Sequence, residues 1–262
     1  MNIETVTQVL RRPYAVVRRR NAARAVILTN YARPWNIQRQ IETVRALREP
    51  TDILLIDNSE TEDGRSNLPE MDLTGVALLR TGRNMGNGWR FAVAAELPHA
   101  QLSCIDDDIF LSTDQIEALF QRAAREPDRP HGVWGEDVQE RFGRLGFKTH
   151  LCRQNREVDI LNQLYVFTPA QASRAITLAA FCGYPDWSKI GPVDDVFLSY
   201  AGNRKPAVHE LGPLEQCETA SKEGIASWRR PDFYARRKTV LRKLWALHDA
   251  EGIAPAALYR AH

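Results

Sequence analysis

The chain has 262 residues, 44% of them hydrophobic, which suffices for a packed core and excludes a disordered protein. Its 35 Lys and Arg almost balance 33 Asp and Glu, so a net charge of +2 gives no reason to expect a nucleic-acid partner. Cys104, Cys152, Cys182 and Cys217 are widely spaced with no C-x-x-C pair, which argues against structural zinc and for reduced core residues.

Residues 1–24 carry Arg11, Arg12, Arg18, Arg19, Arg20 and Arg24, and read as a basic arm or short helix. Ala25 to Thr29 is a β-prone apolar run. Pro34 then suits a first helical turn, and Ile37, Ile41, Val44 and Leu47 mark one buried helical face. Ile53 to Ile56 forms a second strand ending in Asp57-Asn58-Ser59, which completes a βαβ unit with a right-handed crossover. A third strand, Val76 to Leu79, leads into Thr81 to Gly88, where three glycines permit close backbone approach before a helix from about Trp89 to Leu97. The spacing matches neither a Walker loop nor G-x-G-x-x-G.

Leu102 to Ile105 reads as a buried strand, and Asp106-Asp107-Asp108 follows it directly. Adjacent carboxylates repel and raise one another's pKa, so a chain that keeps three between apolar runs is expected to neutralise them with a cation. Hard oxygen ligands suit Mg2+ or Mn2+. The carboxyl end of a strand is also where open α/β sheets bind ligands. Ser112 and Gln115 predict a capping box for a helix with Ile116, Leu119, Phe120 and Ala123 facing inward. Residues 125–156 are rich in Pro, Gly and Arg, with only a short strand expected at Gly132 to Trp134. Val158 to Phe167 is the next strand and Ala170 to Phe181 the next helix.

A second acidic pair, Asp194-Asp195, opens a short helix, where first-turn carboxylates complement the dipole. Pro206 to His209 reads as a terminal strand. From Leu211 to Arg230 the chain is irregular and basic, with Lys222, Arg229 and Arg230 placed to close over an anion. The helix from Phe233 to His248 sets Val240, Leu241, Leu244, Trp245 and Leu247 among arginines and lysines. That pattern suits packing on the domain, or contact with an anionic membrane. No apolar run approaches the ~18 residues of a span, and no secretory signal is visible, so the expected location is cytoplasmic, peripheral at most to the inner face of the membrane.

The order of these motifs resembles the GT-A glycosyltransferases, especially glycosyltransferase family 2 and its relatives. Thr29-Asn30-Tyr31-Ala32-Arg33-Pro34 is similar to that family's opening strand and Y-x-R-P turn, and Leu55 to Gly64 to its V-D-N-x-S-x-x-D-G segment. Asn84-Met85-Gly86 falls at its N-x-G turn, and Ile105 to Asp108 at its D-x-D motif. Asp106 to Phe110 with Asp194 to Phe197 also resembles the D-D-D-V-F and E-D-V-Y motifs of family 31. The resemblance covers about residues 25–200. Asp194 stands where the family has glutamate, and no Q-x-x-R-W follows, which argues against a processive synthase.

The resemblance implies an α/β, Rossmann-like α/β/α fold with a mixed, mostly parallel central sheet. It divides the chain into an arm (1–24), a GT-A domain (25–210) and a basic C-terminal loop and helix (211–262). It implies a metal-dependent transferase moving sugar from a nucleotide-diphosphate donor, UDP-sugar favoured, to a carbohydrate, lipid-linked or anionic acceptor, with inversion. Asp106 and Asp108, with His209 as a further ligand, would hold Mn2+ or Mg2+. Asp106 and Asp107 would also reach the donor. Thr29, Asn30, Arg33 and Asp57 would form the nucleoside pocket near Arg83 and Asn84, and Lys222, Arg229 and Arg230 would neutralise the diphosphate. Asp195 would be the base, with Asp194 beside it. Two competing expectations are a nucleotidyltransferase, for which Thr29 to Pro34 lacks a phosphate loop, and a non-catalytic nucleotide-sugar-binding module.

Overall fold

The computed structural model describes residues 22–59, 66–150, 154–186 and 189–251. The expected N-terminal arm as far as residue 21, the Glu60 to Gly64 part of the second motif, and Cys152 lie outside the described residues.

Four parallel strands, β1 (Arg24–Asn30), β2 (Thr51–Asp57), β3 (Val76–Arg80) and β4 (Gln101–Ile105), form one half of the main sheet. Their near-continuous apolar runs follow from burial on both faces. Ala25 and Ile27 of β1 point into one core and Val26 and Leu28 into the other, as the two-residue period of a strand requires. Arg33 is followed by a 3-10 turn at Pro34–Asn36, and α1 (Ile37–Arg45) crosses to β2 with Ile37, Ile41 and Val44 buried. Trp89–Ala95 forms α2, and Thr113–Arg125 forms α3, whose Ser112–Gln115 capping box is present with both reciprocal hydrogen bonds.

Beyond β4 the sheet becomes mixed. After the two-residue β5 (Ile109–Phe110) come β6 (His131–Arg141), β7 (Arg144–His150), β8 (Arg156–Glu157), β9 (Ile160–Phe167) and β10 (Ala207–Val208). The main sheet runs β3-β2-β1-β4-β9-β6-β10-β8, with β7 paired to β6. Because β9 is antiparallel to both β4 and β6, those two strands point the same way. The helices α4 (Pro169–Phe181), α5 (Asp194–Ser199) and α6 (Phe233–Glu251) join α2 on one face, while α1 and α3 cover the other. The result is an α/β/α layering with a mixed, mostly parallel sheet. Val240, Leu241 and Leu244 of α6 belong to the same core as α2 and α4, and no described helix is long and apolar enough to cross a membrane.

The short strand expected at Gly132 to Trp134 is instead the start of an eleven-residue strand that turns into a long hairpin with β7. The sequence hides it for two reasons. Its outer half sets Val138 alone among the polar and charged Glu136, Asp137, Gln139, Glu140 and Arg141, and its two-residue turn is Phe142-Gly143, not the Asn-Gly or Asp-Gly that usually announces such a hairpin. The tail after Leu211 holds a further unexpected pairing, β11 (Glu215–Gln216) against β5.

Candidate functional site

The acid triplet sits at the carboxyl end of β4, and buried polar side chains from the start of α1 grip its backbone. Asn36 Nδ2 donates to the Asp107 carbonyl at 2.7 Å, and Gln40 Nε2 to the carbonyls of Asp106 (2.7 Å) and Ile109 (3.0 Å). Three buried or nearly buried carboxylates thus hold different directions. Asp107 turns toward β1, where Arg33 Nη1 donates to it at 2.6 Å and the backbone amides of Tyr31 and Ala32 reach its other oxygen. Asp108 has one oxygen 3.5 Å from Arg33 Nη2, and its Oδ1 is buried without a hydrogen-bond partner. Asp106 keeps 27% side-chain exposure against 8% and 12% for the other two.

Arg90 on α2 brings the two acid clusters together. It ion-pairs with Asp106, and its Nη2 and Nε donate to Asp194 Oδ2 at 2.9 and 3.2 Å. The guanidinium lies 5.0 Å from the centre of the Tyr165 ring of β9. Arg237 on α6 does the same for the second cluster: it is fully buried and donates to Asp195 Oδ2 (2.7 Å), Glu136 Oε2 (3.0 Å) and Asn162 Oδ1 (3.1 Å). Burial works against both guanidinium charges, but the surrounding carboxylates outweigh it and hold each arginine protonated. Asp195 is fixed further by the Val196 amide on its Oδ1, at 2.8 Å.

Six carboxylates, Asp106, Asp107, Asp108, Asp194, Asp195 and Glu136, therefore share three guanidinia, Arg33, Arg90 and Arg237. The formal surplus is negative. Burial drives Asp106 up to about 7 and Asp108 to about 6, with neighbouring acids adding to the rise and Arg90 and Arg33 respectively opposing it. Asp195 rises to about 6, again chiefly through burial, against the pull of Arg237.

This charge surplus and the orphaned Asp108 Oδ1 fit a cation. No group of three or more His, Cys, Asp or Glu among the described residues is arranged to hold a metal by itself. The donor set suits an ion that takes one or two carboxylates and completes its shell with waters and ligand phosphates, as Mg2+ does. His209 lies apart from these acids in its contacts. Its Nε2 is 2.8 Å from His131 Nδ1, and the two rings stack. His131 Nε2 must donate to the Glu126 carbonyl at 2.8 Å, so His131 Nδ1 accepts and His209 Nε2 carries the proton. Burial lowers His209 to about 4, and its Nδ1 is a buried atom without a partner.

At the ends of β1 and β2, Asp57 is buried and accepts from Asn30 Nδ2 (2.8 Å), Ser59 Oγ (2.7 Å) and Ser66 Oγ. Thr29 Oγ1 and Asn30 Oδ1 are left buried without partners. Asn84 uses its side chain locally: its Oδ1 accepts from the Gly86 amide and from Asn58 Nδ2, while Asn58 Oδ1 accepts from the Met85 amide at 2.6 Å. These bonds hold the turn in which Gly86 has φ +76°, a region that glycine enters without a Cβ clash. Arg83 is exposed.

The tail returns to the acids. The β11–β5 pairing places the Cys217 amide 2.9 Å from the Asp108 carbonyl, and Arg33 donates to Thr219 Oγ1 and its carbonyl, each at 3.0 Å. Lys222 follows three residues later and is exposed, as are Arg229 and Arg230; Arg229 sits over the Trp228 ring at 4.5 Å.

Arg90, Arg237 and Glu136 are functional candidates that the motif reading passed over. Arg90 had a signal, being the lone charge in the otherwise apolar Trp89–Ala95 helix. Arg237 had one too: it precedes Val240, Leu241 and Leu244 by three, four and seven residues, on their buried stripe, but Arg236 and Lys238 disguise it as part of a solvated basic run. Glu136 lay in the hairpin that the sequence concealed.

The α/β/α layering and the mixed, mostly parallel sheet are those of a GT-A-like fold. Among solved structures, the chain is similar to S. aureus TarS (residues 1–349), alone and in complex with UDP-GlcNAc. Each has a TM-score of 0.52 and 13% identity over 84% of this chain. The match spans 65% and 66% of those two TarS chains, just under two thirds. No protein-family model and no curated protein sequence matches the chain.

Proposed function

We propose that the protein is a glycosyltransferase that takes a nucleotide-diphosphate sugar, UDP-sugar favoured, with Mn2+ or Mg2+, and transfers the sugar to a hydroxyl of a carbohydrate, lipid-linked or anionic acceptor. The observation that carries this reading is the single Arg90 guanidinium that holds Asp106 and Asp194 together. It joins an acid loop with spare negative charge to an acid pair with fixed partners, which is what leaving-group binding and acceptor activation require side by side. TarS, of similar fold, has been crystallised with UDP-GlcNAc, and that supports the donor class.

In this reading Asp106 and Asp108 hold the cation, which when bound neutralises charge on the diphosphate leaving group. Thr29 Oγ1 and Asn30 Oδ1 offer unpartnered polar atoms to the nucleoside beside Asp57. Arg33 orients Asp107 and the tail, and Lys222 supplies positive charge from the exposed side. Asp195 is the proton acceptor. Burial raises it to about 6, close to the value at which a carboxylate both stays largely ionised at neutral pH and takes a proton effectively. Asp194, held by Arg90, orients it. Attack by the activated hydroxyl on the anomeric carbon, opposite the leaving diphosphate, inverts configuration, and the absence of Q-x-x-R-W fits a non-processive enzyme.

Incubation of the purified chain with a panel of nucleotide sugars and Mn2+, with released nucleotide measured, is the direct test. Turnover of at least one donor, abolished by Asp108→Ala, is expected. Asp195→Asn should keep donor binding and lose transfer. The reading fails if no donor binds or turns over, or if Asp108→Ala leaves turnover intact.

A further inference from the structure

The β6–β7 hairpin carries a side chain that costs the fold something and returns nothing inside it. Arg141 and Arg144 pair across a two-residue turn formed by Phe142 (φ +50°) and Gly143 (φ +72°). Such a turn calls for left-handed backbone at both positions, where Asn, Asp and Gly are at home and a bulky aromatic is not. Phe142 also has a relative exposure of 104%, the highest of the exposed large hydrophobic residues, so its ring packs on none of the described residues. A strained and solvated aromatic with no packing partner among the described residues is suited to a contact outside them.

Its surroundings indicate what. At the base of the hairpin, Phe147 lies 5.3 Å from the ring of Tyr234 at the start of α6, and Trp228 is in the 3-10 turn just before that helix. Tyr234 and Trp228 are both exposed, so three of the large exposed hydrophobic residues are carried by these two connected segments. Basic residues accompany them: Arg144 follows the hairpin turn, and Arg229 and Arg230 follow Trp228, all exposed. Between residues 226 and 243 the only acid is Asp232. Amphipathic aromatics mixed with basic residues match the interface of an anionic bilayer, where the rings enter the headgroup layer and the cations meet lipid phosphate.

Position supports the same occupant. β6 runs in the direction of β4, so the hairpin leaves the sheet from the carboxyl edge that bears the acids. Five residues separate Glu136, at the level of Arg237, from Arg141, or about 17 Å at ~3.4 Å per strand residue. We propose that the β6–β7 hairpin tip and the start of α6 form a docking surface for an anionic lipid bilayer, with Phe142 as the inserted side chain. Docking there turns the acid-bearing edge of the sheet toward the membrane.

Co-sedimentation of the full chain with phosphatidylcholine vesicles, with and without about one third phosphatidylglycerol, tests this. Binding to the anionic vesicles at low salt, released as salt rises, is expected. Phe142→Asn should weaken it roughly tenfold, through loss of the buried aromatic area. The same variant should keep or raise the melting temperature, since Asn suits the left-handed turn, and should leave donor hydrolysis unchanged. Phe181→Asn, an exposed aromatic at the end of α4, should bind as the unaltered protein does. Absence of binding at low salt overturns the proposal, as does equal binding by Phe142→Asn or an equal loss in Phe181→Asn. Binding to soluble dextran sulfate without vesicle binding would make the patch a polyanion site and overturn it as well.

Discussion

The two acid clusters contain the same residue type and lie on the same edge of the sheet, yet they are built in opposite ways. Asp106 to Asp108 occupy a strand-to-strand loop, gripped through its backbone by Asn36 and Gln40, with three carboxylates facing parts of two guanidinia. Asp194 and Asp195 occupy the first turn of a helix, and each has an arginine at hydrogen-bonding distance. A loop held by its backbone leaves Asp108 Oδ1 without a partner and Asp106 partly exposed. A helical turn whose two carboxylates each meet a buried guanidinium, one shared with Asp106 and the other with Glu136, has a fixed shape before any ligand arrives. The contrast is between a site with charge to spare and a site with geometry to keep.

If that contrast is right, the largest effects belong to the matched cluster. Arg237→Met leaves Asp195 and Glu136 without their shared cation, and breaking a buried pair of this kind costs about 3–5 kcal/mol. Urea denaturation measures the loss, and Glu136→Gln added to it should recover part of the stability by removing one unpaired charge. A stability equal to that of the unaltered protein would place the fixed geometry elsewhere.

A smaller effect tests the bridge between the clusters. In a double-mutant cycle, Arg90→Met and Asp194→Asn should couple by about 1–3 kcal/mol, because each removes the other's buried partner. Additive losses would mean that Arg90 serves Asp106 alone.

The smallest expected effect is a pH dependence. Asp195, packed against Arg237, Asp194 and Glu136, has its folded-state pKa raised from 3.8 to about 6. Between those values the folded protein binds more protons than the unfolded chain, so stability falls as pH rises. The contribution is complete below about pH 4 and is lost as pH passes through about 6. Melting temperatures measured from pH 4 to 8 should fall less steeply in Asp195→Asn; identical slopes would mean that this carboxyl does not hold its proton in the fold.

Legibility in the sequence divided along the same line. The strands β1 to β4 announced themselves because burial on both faces demands unbroken apolar runs, and the capping box at Ser112 and Gln115 reported a local hydrogen-bond pattern that tertiary contacts did not alter. The acids were legible as a charge problem, but their solution was not. Its cations come from α2 and α6, and only the fold brings Arg90 within reach of both Asp106 and Asp194, which follow it by 16 and 104 residues. The hairpin failed to register because a half-solvated strand with few apolar positions looks like a polar loop, and the two-residue β11 is too short to carry a pattern.

Arg237 also constrains the order of events as the chain is made. It lies 42 residues after Asp195 and 101 after Glu136, so a nascent chain carries both carboxylates well before their common cation is synthesised. Until α6 docks, a buried arrangement of those acids is unfavourable unless they are protonated, and the sheet's carboxyl edge has reason to stay open and hydrated. Closure of that edge is then a late, long-range step, one that couples completion of this buried charge pattern to the arrival of the C-terminal helix.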